Sequence, residues 1–402
     1  LTLIMATPAS FPINRAAFCG LLAMFVSIGV ARFGFAPIVP ALAKAHWYSA
    51  SAAFWLGAAN LAGYFIGAAV MRVWRHPFAA KPAVLGFMGL TALSILASAL
   101  NWGWLWFGAW RLLSGITGGI LMVLMAAAVV GRAPARARGK VSGITFAGMG
   151  AGTAFSAILV PLLLARGLIC TWIVLGAVSV AATLAVALMM PPVRITPPPR
   201  HAATGLPPRV VLLMITAYAL SALGFVPHML FLSSFAALGL GRGVAAGAAL
   251  AACLGVAAML GPLILGRVAD RFGFLPTLGA GYVLMGGGVA LPLLLHAQLA
   301  LAVSALVVGA IALGSVMLVA GAIAGMVPPA RLSADWGLAT MAYAVMQAGV
   351  AALFSNLFHL TGSYELLFGI GALAMLVSIG LIGLCLRLTA AAEAKRLFQP
   401  GT

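Results

Sequence analysis

Acidic residues are almost absent from this sequence. Only 4 of its 402 residues are Asp or Glu, whereas 22 are Lys or Arg, and charged residues make up 6% of the chain. Soluble domains carry about 25% charged residues, and a hydrophobic content of 64% is equally atypical of them. These values exclude a soluble globular protein and predict one that crosses a membrane many times.

The net charge of +18 does not indicate a nucleic-acid partner. The basic residues lie mainly in short loops between long apolar runs, where they set the orientation of a membrane protein. The expected partners are therefore the lipid bilayer and a small-molecule solute.

Motifs of enzymes and of cofactor sites are also missing. No GxxxxGK[ST] sequence occurs, which excludes ATP as the energy source. The four cysteines show no CxxC spacing, so neither a disulfide nor a zinc site is expected. Intramembrane hydrolases need a nucleophile with a base, and metal-dependent transferases need clustered Asp or His. The six histidines are scattered, so we expect no enzyme, no cofactor and no metal.

What the chain does contain is a set of long apolar runs. A membrane span needs about 20 such residues, and twelve runs qualify: 16–40, 52–71, 82–100, 104–130, 141–164, 168–190, 210–232, 244–265, 274–295, 299–326, 336–358 and 364–386. The stretch 191–209, rich in proline and basic residues, separates six runs from six and predicts a linker without packed structure. The expected fold is all-α and polytopic, with an N-terminal half over 1–190, a cytoplasmic linker over 191–209, and a C-terminal half with a short cytoplasmic tail over 210–402.

Basic residues also predict the orientation. If both termini are cytoplasmic, the inner segments hold 17 of the 22 Lys and Arg residues, and the outer loops hold only Lys44, Arg166 and Arg242. Positive residues concentrate on the cytoplasmic side of membrane proteins, so this orientation is expected. The first run lacks a small-residue cleavage site, and we interpret it as a retained span.

Two short stretches recur in the same order in both halves. GFAP at 34–37 matches GFVP at 224–227, and GAAVMR at 67–72 matches GRVADR at 266–271. The halves therefore resemble parallel repeats of one six-helix unit. Such repeats place a substrate site between them, near the middle of the membrane.

Several motifs resemble those of a known superfamily. GRVADRFG at 266–273 is similar to the GxLaDRxGrr loop motif of the major facilitator superfamily, without its final basic pair. RLLSGITGG at 111–119 resembles the fourth-helix motif, and the glycine-rich segment 143–161 loosely resembles the fifth-helix motif associated with antiporters. RFGFAPIVP at 32–40 and NLAGYFIG at 60–67 are similar to the YbfB/YjiJ-like bacterial branch.

The resemblance implies the major facilitator fold of twelve helices in two halves. It also implies a monomeric transporter of the bacterial inner membrane that works by alternating access. The residues matching the gating loop are Gly266, Asp270, Arg271 and Gly273, together with Arg72 in the first half. Met71 stands where the first-half motif expects Asp, so a gating role is better supported for the second half. The alternative interpretation is a solvated basic loop.

Arg32 and Arg111 are the two basic residues inside apolar runs. At about 1.5 Å per residue, Arg32 lies roughly 24 Å from the inner end of its run and Arg111 roughly 11 Å from the outer end of its own. Both fall in the outer half of a hydrocarbon core about 30 Å thick. Burying each costs on the order of 3 kcal/mol. No carboxylate is available as a partner, since we place all four acids in loops or in the tail: Asp270, Asp335, Glu365 and Glu393.

Each of these arginines has two interpretations. Arg32 could bond backbone carbonyls freed by Pro37 and Pro40, or it could pair with an anionic group of the solute. The second is favoured, because a broken helix is expected to line a cavity. For Arg111 a bracing role within the bundle is favoured over solute binding.

The remaining candidates are polar residues in apolar runs. His228, beside the second copy of the repeat, could carry a coupling proton or could simply pack between helices. Asn60 and Tyr64 share one helix face, where packing is narrowly favoured over solute binding. Further cavity candidates are Tyr218, Tyr343 and Gln347.

Three functions fit these observations. The leading one is a secondary active transporter for a small organic solute, and the two arginines and missing acids indicate an anion. Efflux of neutral or amphipathic compounds by an antiporter is the main competitor. A membrane sensor that binds a solute without moving it belongs to a different class, and it would show no counterflow.

Overall fold

The structure is a computed structural model that describes residues 13–48, 50–74, 76–195 and 208–398. Within these ranges, twelve helical segments are long and apolar enough to cross a membrane. Numbered as spans 1 to 12, they are Ile13–Ile38, Trp55–Val73, Ala80–Ala97, Trp104–Arg132, Ala135–Leu164, Leu168–Met189, Arg209–Leu230, Ala245–Phe272, Phe274–Leu294, Gln298–Met326, Pro329–Thr361 and Tyr364–Ala392. The prediction of twelve spans is confirmed.

Most spans are continuous α-helices. The α-helices cover Ile13–Met24, Val39–Lys44, Ala50–Val73, Ala80–Ala97, Trp104–Ala128, Arg138–Leu164, Leu168–Met189, Arg209–Leu230, Leu232–Ser234, Gly243–Phe272, Phe274–Leu294, Gln298–Met326, Leu332–Thr361 and Tyr364–Phe398. Short 3₁₀ turns lie at Val130–Arg132, Ala135–Ala137 and Pro329–Arg331, before or after a longer helix.

The two halves pack their helices in the same way. Spans 2 and 4, 3 and 6, and 1 and 5 are in contact in the first half, and the equivalent spans 8 and 10, 9 and 12, and 7 and 11 are in contact in the second. Between the halves, span 5 packs on span 8, and its equivalent, span 11, packs on span 2. The internal repeat is therefore a repeat of structure, and the fold is that of the major facilitator superfamily.

Span 1 is interrupted in its middle. A π-helix over Phe25–Val30 is followed by a turn at 31–32 and a 3₁₀ helix over Phe33–Ile38. Pro37 contributes to the break, because proline lacks an N–H donor and its ring clashes with the preceding turn. Arg32 lies in the turn between the two irregular segments. The equivalent span 7 contains Pro227 and is followed by a π-helix at Phe235–Gly239.

Spans 5, 8 and 11 are longer than the sequence analysis predicted. Their charged ends remain helical beyond the apolar run, whereas a hydropathy pattern stops at the first charges. The placement of acids in loops is therefore wrong for Asp270, in the last turn of its helix, and for Asp335 and Glu365, each in a first turn. Glu393 also falls within a helix, Tyr364–Phe398.

The beginning of the predicted linker is packed rather than loose. Arg194–Ile195 pairs antiparallel with Phe78–Ala79 in a two-stranded ladder, with Phe78 opposite Ile195. Val193 and Ile195 are buried. The first linker residues are thus held against the first half, while positions 196–207 lie outside the described residues.

Candidate functional site

Arg32 extends from the break in span 1 towards the second half. Its Nη2 donates a hydrogen bond of 2.7 Å to Oε1 of Gln347 in span 11. Its guanidinium carbon lies 4.9 Å from the ring centroid of Tyr64 in span 2. The side chain is half-buried, whereas Gln347 and Tyr64 are buried. One cation therefore joins three spans across the seam between the halves.

Three tyrosines lie near this guanidinium. Tyr64, Tyr218 and Tyr343 all lie within electrostatic range of Arg32. The Tyr218 and Tyr343 rings stack on each other, with centroids 4.5 Å apart and planes inclined by 21°. We call Arg32, Tyr64, Tyr218, Tyr343 and Gln347 the central site. All five residues were predicted from the sequence as candidates for solute binding, and they lie together in the structure.

Several hydrogen-bonding groups of the central site are unused. Within the described part of the chain, Nη1 and Nε of Arg32 and the hydroxyls of its three tyrosines have no hydrogen-bond partner. None of these atoms is among the buried polar atoms that lack a partner, so each reaches accessible space. The central site, which lies between the halves, therefore has free donors at accessible atoms.

None of the carboxylates among the described side chains neutralises Arg32. Among the described residues, the only ion pair is Arg331–Asp335, at 3.2 Å. Asp270 and Asp335 lie at the ends of spans 8 and 11, and Glu365 lies at the start of span 12. The positive charge of the central site is therefore left without a counter-ion from these acids.

Arg111 occupies a different environment directly behind the break. It is 4% exposed, its Nη1 donates a 2.6 Å hydrogen bond to the Ala31 carbonyl, and its guanidinium lies 4.1 Å from the ring centroid of Phe35. It is Arg111, rather than Arg32, that bonds a carbonyl at the interruption in span 1. These contacts support the bracing interpretation.

Asn60 also faces a neighbouring helix, span 4, instead of the central site. Its Nδ2 donates to the Arg111 carbonyl at 3.2 Å and to the Ser114 hydroxyl at 2.8 Å. Tyr64, one turn further along span 2, meets Arg32. Asn60 therefore packs between helices, whereas Tyr64, on the same helix face, belongs to the central site.

His228 is enclosed within the second half. Its Nε2 lies 2.7 Å from the Ser304 hydroxyl, and that hydroxyl donates to the Gly288 carbonyl at 2.6 Å. The histidine Nε2 is therefore the donor to Ser304. The ring of Phe368 meets the imidazole edge-on, at 5.3 Å between centroids. These contacts favour the packing interpretation of His228.

A second cluster closes the seam at the face where span 1 begins and span 12 ends, here called the terminal face. Asp270 accepts hydrogen bonds from the backbone N–H groups of Gly139 and Lys140, at 2.6 and 2.7 Å, in the first turn of the span 5 helix. A carboxylate is stabilised there by the positive end of the helix dipole. Arg72 donates to the Ala334 carbonyl at 3.1 Å.

The other residues matching the gating loop have local roles. Gly266 packs directly on Gly139, where a Cβ would lie 2.3 Å from the Gly139 carbonyl oxygen. Gly273 has φ +89, which permits the sharp turn between spans 8 and 9. Arg271 is exposed and lies over the ring of Phe272.

Two further bonds across the terminal face were missed by sequence reasoning. Ser142 in span 5 donates to the Met317 carbonyl in span 10, and Trp336 in span 11 donates to the Met122 carbonyl in span 4, each at 3.2 Å. These bonds are equivalent under the repeat, because 194 residues separate Ser142 from Trp336 and 195 separate Met122 from Met317. An alignment of the two halves would have signalled the pair.

Comparisons with known proteins agree with this architecture. A family model described as "Uncharacterised MFS-type transporter YbfB" matches residues 24–383. The solved structure of the human organic anion transporter MFSD10 (TETRAN) is 16% identical, with a TM-score of 0.71 over 94% of this chain and 100% of the other. A search of curated proteins found no match.

Two bacterial structures show the same likeness of fold. The E. coli fucose:proton symporter FucP is 12% identical, with a TM-score of 0.73 over 94% of this chain and 99% of the other. A bacterial homologue of the iron transporter ferroportin, solved in an outward-facing state, is 12% identical, with a TM-score of 0.70 over 92% and 99%. With the family match covering most of the residues that form the two halves, this chain belongs to the YbfB family of major facilitator superfamily transporters.

Proposed function

We propose that this protein moves a small organic anion across the bacterial inner membrane by alternating access. The observation that carries the proposal is the half-buried Arg32, which lies between the halves with free donors and, among the described side chains, no carboxylate partner. A charge at such depth costs on the order of 3 kcal/mol unless it is paired or hydrated. A bound anion would supply the missing counter-charge.

The chemistry of the guanidinium suits this role. Arginine presents donors in a fixed fork that matches the two oxygens of a carboxylate, and such charge-assisted bonds are strong and directional. Gln347 already occupies one Nη2 donor and fixes the orientation of the fork. The similar human structure is described as an organic anion transporter, and at 16% identity this likeness supports the fold rather than the substrate.

The contacts at the terminal face support the proposal of alternating access. Asp270 and Arg72 each bond an element of the opposite half, so these bonds must break before the seam can open on that side. The observed state is closed at the terminal face. We infer that Asp270 and Arg72, both named from the sequence as gating residues, stabilise this closed state.

The terminal face is proposed to be cytoplasmic, because the segments assigned to it contain most of the Lys and Arg residues. A green fluorescent protein fused after residue 402 is expected to fluoresce in bacteria, and alkaline phosphatase fused there is expected to be inactive. Active phosphatase would reverse the orientation. We further propose that the working unit is a monomer, since each half supplies residues to one central site.

The runner-up function, efflux of neutral or amphipathic compounds, gains some support from the tyrosine rings of the central site. It differs from anion transport in needing no positive charge. A sensor would bind a solute but would not exchange it across the membrane.

Counterflow in proteoliposomes separates these functions. Vesicles preloaded with unlabelled benzoate or lactate are given the labelled compound outside, and the matching neutral amides serve as comparisons. Anion counterflow that is lost in Arg32→Gln and kept in Arg242→Gln, an arginine remote from the central site, is the expected result. Amide counterflow that Arg32→Gln leaves unchanged would favour efflux, and binding without counterflow would favour a sensor.

A further inference from the structure

We infer that the preferred anion is a monocarboxylate carried on an aromatic ring. This inference rests on the proposed transport of organic anions and names the chemical class of the anion. It depends on two features of the central site: one accessible cation among the described residues, and a cluster of three tyrosines.

The number of available cations sets the charge of the ligand. Arg32 is half-buried and has free donors. Arg111, the other arginine within the predicted apolar runs, is 4% exposed and uses its Nη1 on the Ala31 carbonyl. One accessible guanidinium neutralises one negative charge, and a second carboxylate would remain uncompensated at membrane depth. The central site thus favours a monoanion over a dianion.

The tyrosines indicate which kind of group carries the carboxylate of the ligand. Of the six tyrosines in the chain, Tyr64, Tyr218 and Tyr343 lie in the central site, and the hydroxyl of a fourth, Tyr282, bonds Ser221 on the same span as Tyr218. The Tyr64 face is covered by Arg32, which leaves the Tyr218–Tyr343 pair to receive a ligand ring.

Tyr343 is the ring best placed to make this contact. One of its faces stacks on Tyr218, it has no other ring partner in the part of the chain that the structure describes, and it is half-buried. Gln347, one turn further along the same helix face, holds Arg32. A ligand with its carboxylate on Arg32 can therefore extend a stack that begins with Tyr218 and Tyr343.

Isothermal titration calorimetry on the purified full-length protein tests the inference with four probes. Benzoate and cyclohexanecarboxylate share the carboxylate and the ring size, benzamide lacks the charge, and phthalate carries two charges. Stacking beyond area burial is worth a few-fold to about tenfold in affinity. We expect benzoate to bind roughly fivefold tighter than cyclohexanecarboxylate, and more tightly than benzamide and phthalate.

Variants test whether the preference for an aromatic ring depends on Tyr343. In Tyr343→Leu, the affinity ratio between benzoate and cyclohexanecarboxylate should fall to about one, while Tyr343→Phe should keep it because the ring remains. Tyr364→Leu is the matched control, since Tyr364 is also half-buried but packs against Phe358, away from the central site. The comparison of probes on the native protein does not depend on whether any variant folds.

The possible failures are distinguishable. If both carboxylates bind equally well to the native protein and need Arg32, the aromatic inference is overturned while anion transport stands. The same inference fails if Tyr364→Leu abolishes the preference as completely as Tyr343→Leu. If benzamide binds and neither monocarboxylate does, the proposed function itself fails.

Discussion

The two arginines inside the membrane show how similar residues differ in their surroundings. Arg111 is enclosed, holds the Ala31 carbonyl and lies over Phe35. Arg32 is half-buried and holds only the side chain of Gln347 by a hydrogen bond. We infer that Arg111 stabilises the break in span 1, and that Arg32 is retained at a cost in stability because it binds the solute. Functional sites commonly carry such a cost.

This difference gives opposite expectations for stability. Arg111→Gln should lower the free energy of unfolding by about 2 kcal/mol, the usual range for a hydrogen bond to a charged group. Arg32→Gln should leave the stability of the ligand-free protein unchanged or raised, since it removes an uncompensated charge. Thermal unfolding of both variants in one detergent measures this contrast, and equal losses would contradict it.

The residues of the central site were predictable because polar residues in apolar runs are few. Arg32, Tyr64, Tyr218, Tyr343 and Gln347 could all be named from the sequence. Their partners could not, since Arg32 and Gln347 meet across 315 positions of the chain. The sequence also left open that Arg111, and not Arg32, would bond the carbonyl at the break in span 1.

For the helices, the apolar runs of the sequence predicted how many spans there are. They did not predict where each helix begins and ends. Spans 5, 8 and 11 continue through their charged ends, because a helix can extend beyond the bilayer into water. These extensions form the contacts of the terminal face, including the bonds of Asp270 to the start of span 5. The proposed gate therefore involves the ends of these three spans, which a hydropathy pattern omits.

Asp270→Asn tests the contact between spans 8 and 5. Losing a carboxylate cap costs about 1 kcal/mol, which should raise the open population at the terminal face about fivefold. The measurement is N-ethylmaleimide labelling of a cysteine placed at the buried Ser142, with the native cysteines replaced. Glu365→Gln, at the opposite face, is the control. Unchanged labelling in Asp270→Asn would show that this contact does not hold the seam closed.

Gly143→Ala tests the close approach of the same two spans. A Cβ at Gly143 would lie 2.4 Å from the Pro262 carbonyl oxygen, whereas one at Gly255 would meet no atom within 4 Å. Overpacking of this kind costs about 2 kcal/mol, so Gly143→Ala should slow counterflow strongly while Gly255→Ala leaves it intact. Equal counterflow in both variants would mean that the spans need not pack so closely.

At the scale of the whole molecule, the two halves close the terminal face with equivalent bonds. Ser142 and Trp336 occupy matching positions and donate to matching carbonyls of the opposite half. The symmetry ends at Met71, the equivalent of Asp270, so the carboxylate contact exists on one side only. The repeat was visible in the sequence from GFAP and GFVP, but the pairing across the seam required the packed structure.

Ligand-induced thermal stabilisation measures whether Arg32 binds an anion. Purified native protein, Arg32→Gln and Arg242→Gln would each be heated with a panel of organic monocarboxylates and with the corresponding neutral amides. We predict that carboxylates stabilise the native protein and Arg242→Gln, and that this stabilisation disappears in Arg32→Gln. Stabilisation by the amides alone, or by carboxylates equally in Arg32→Gln, would contradict the claim.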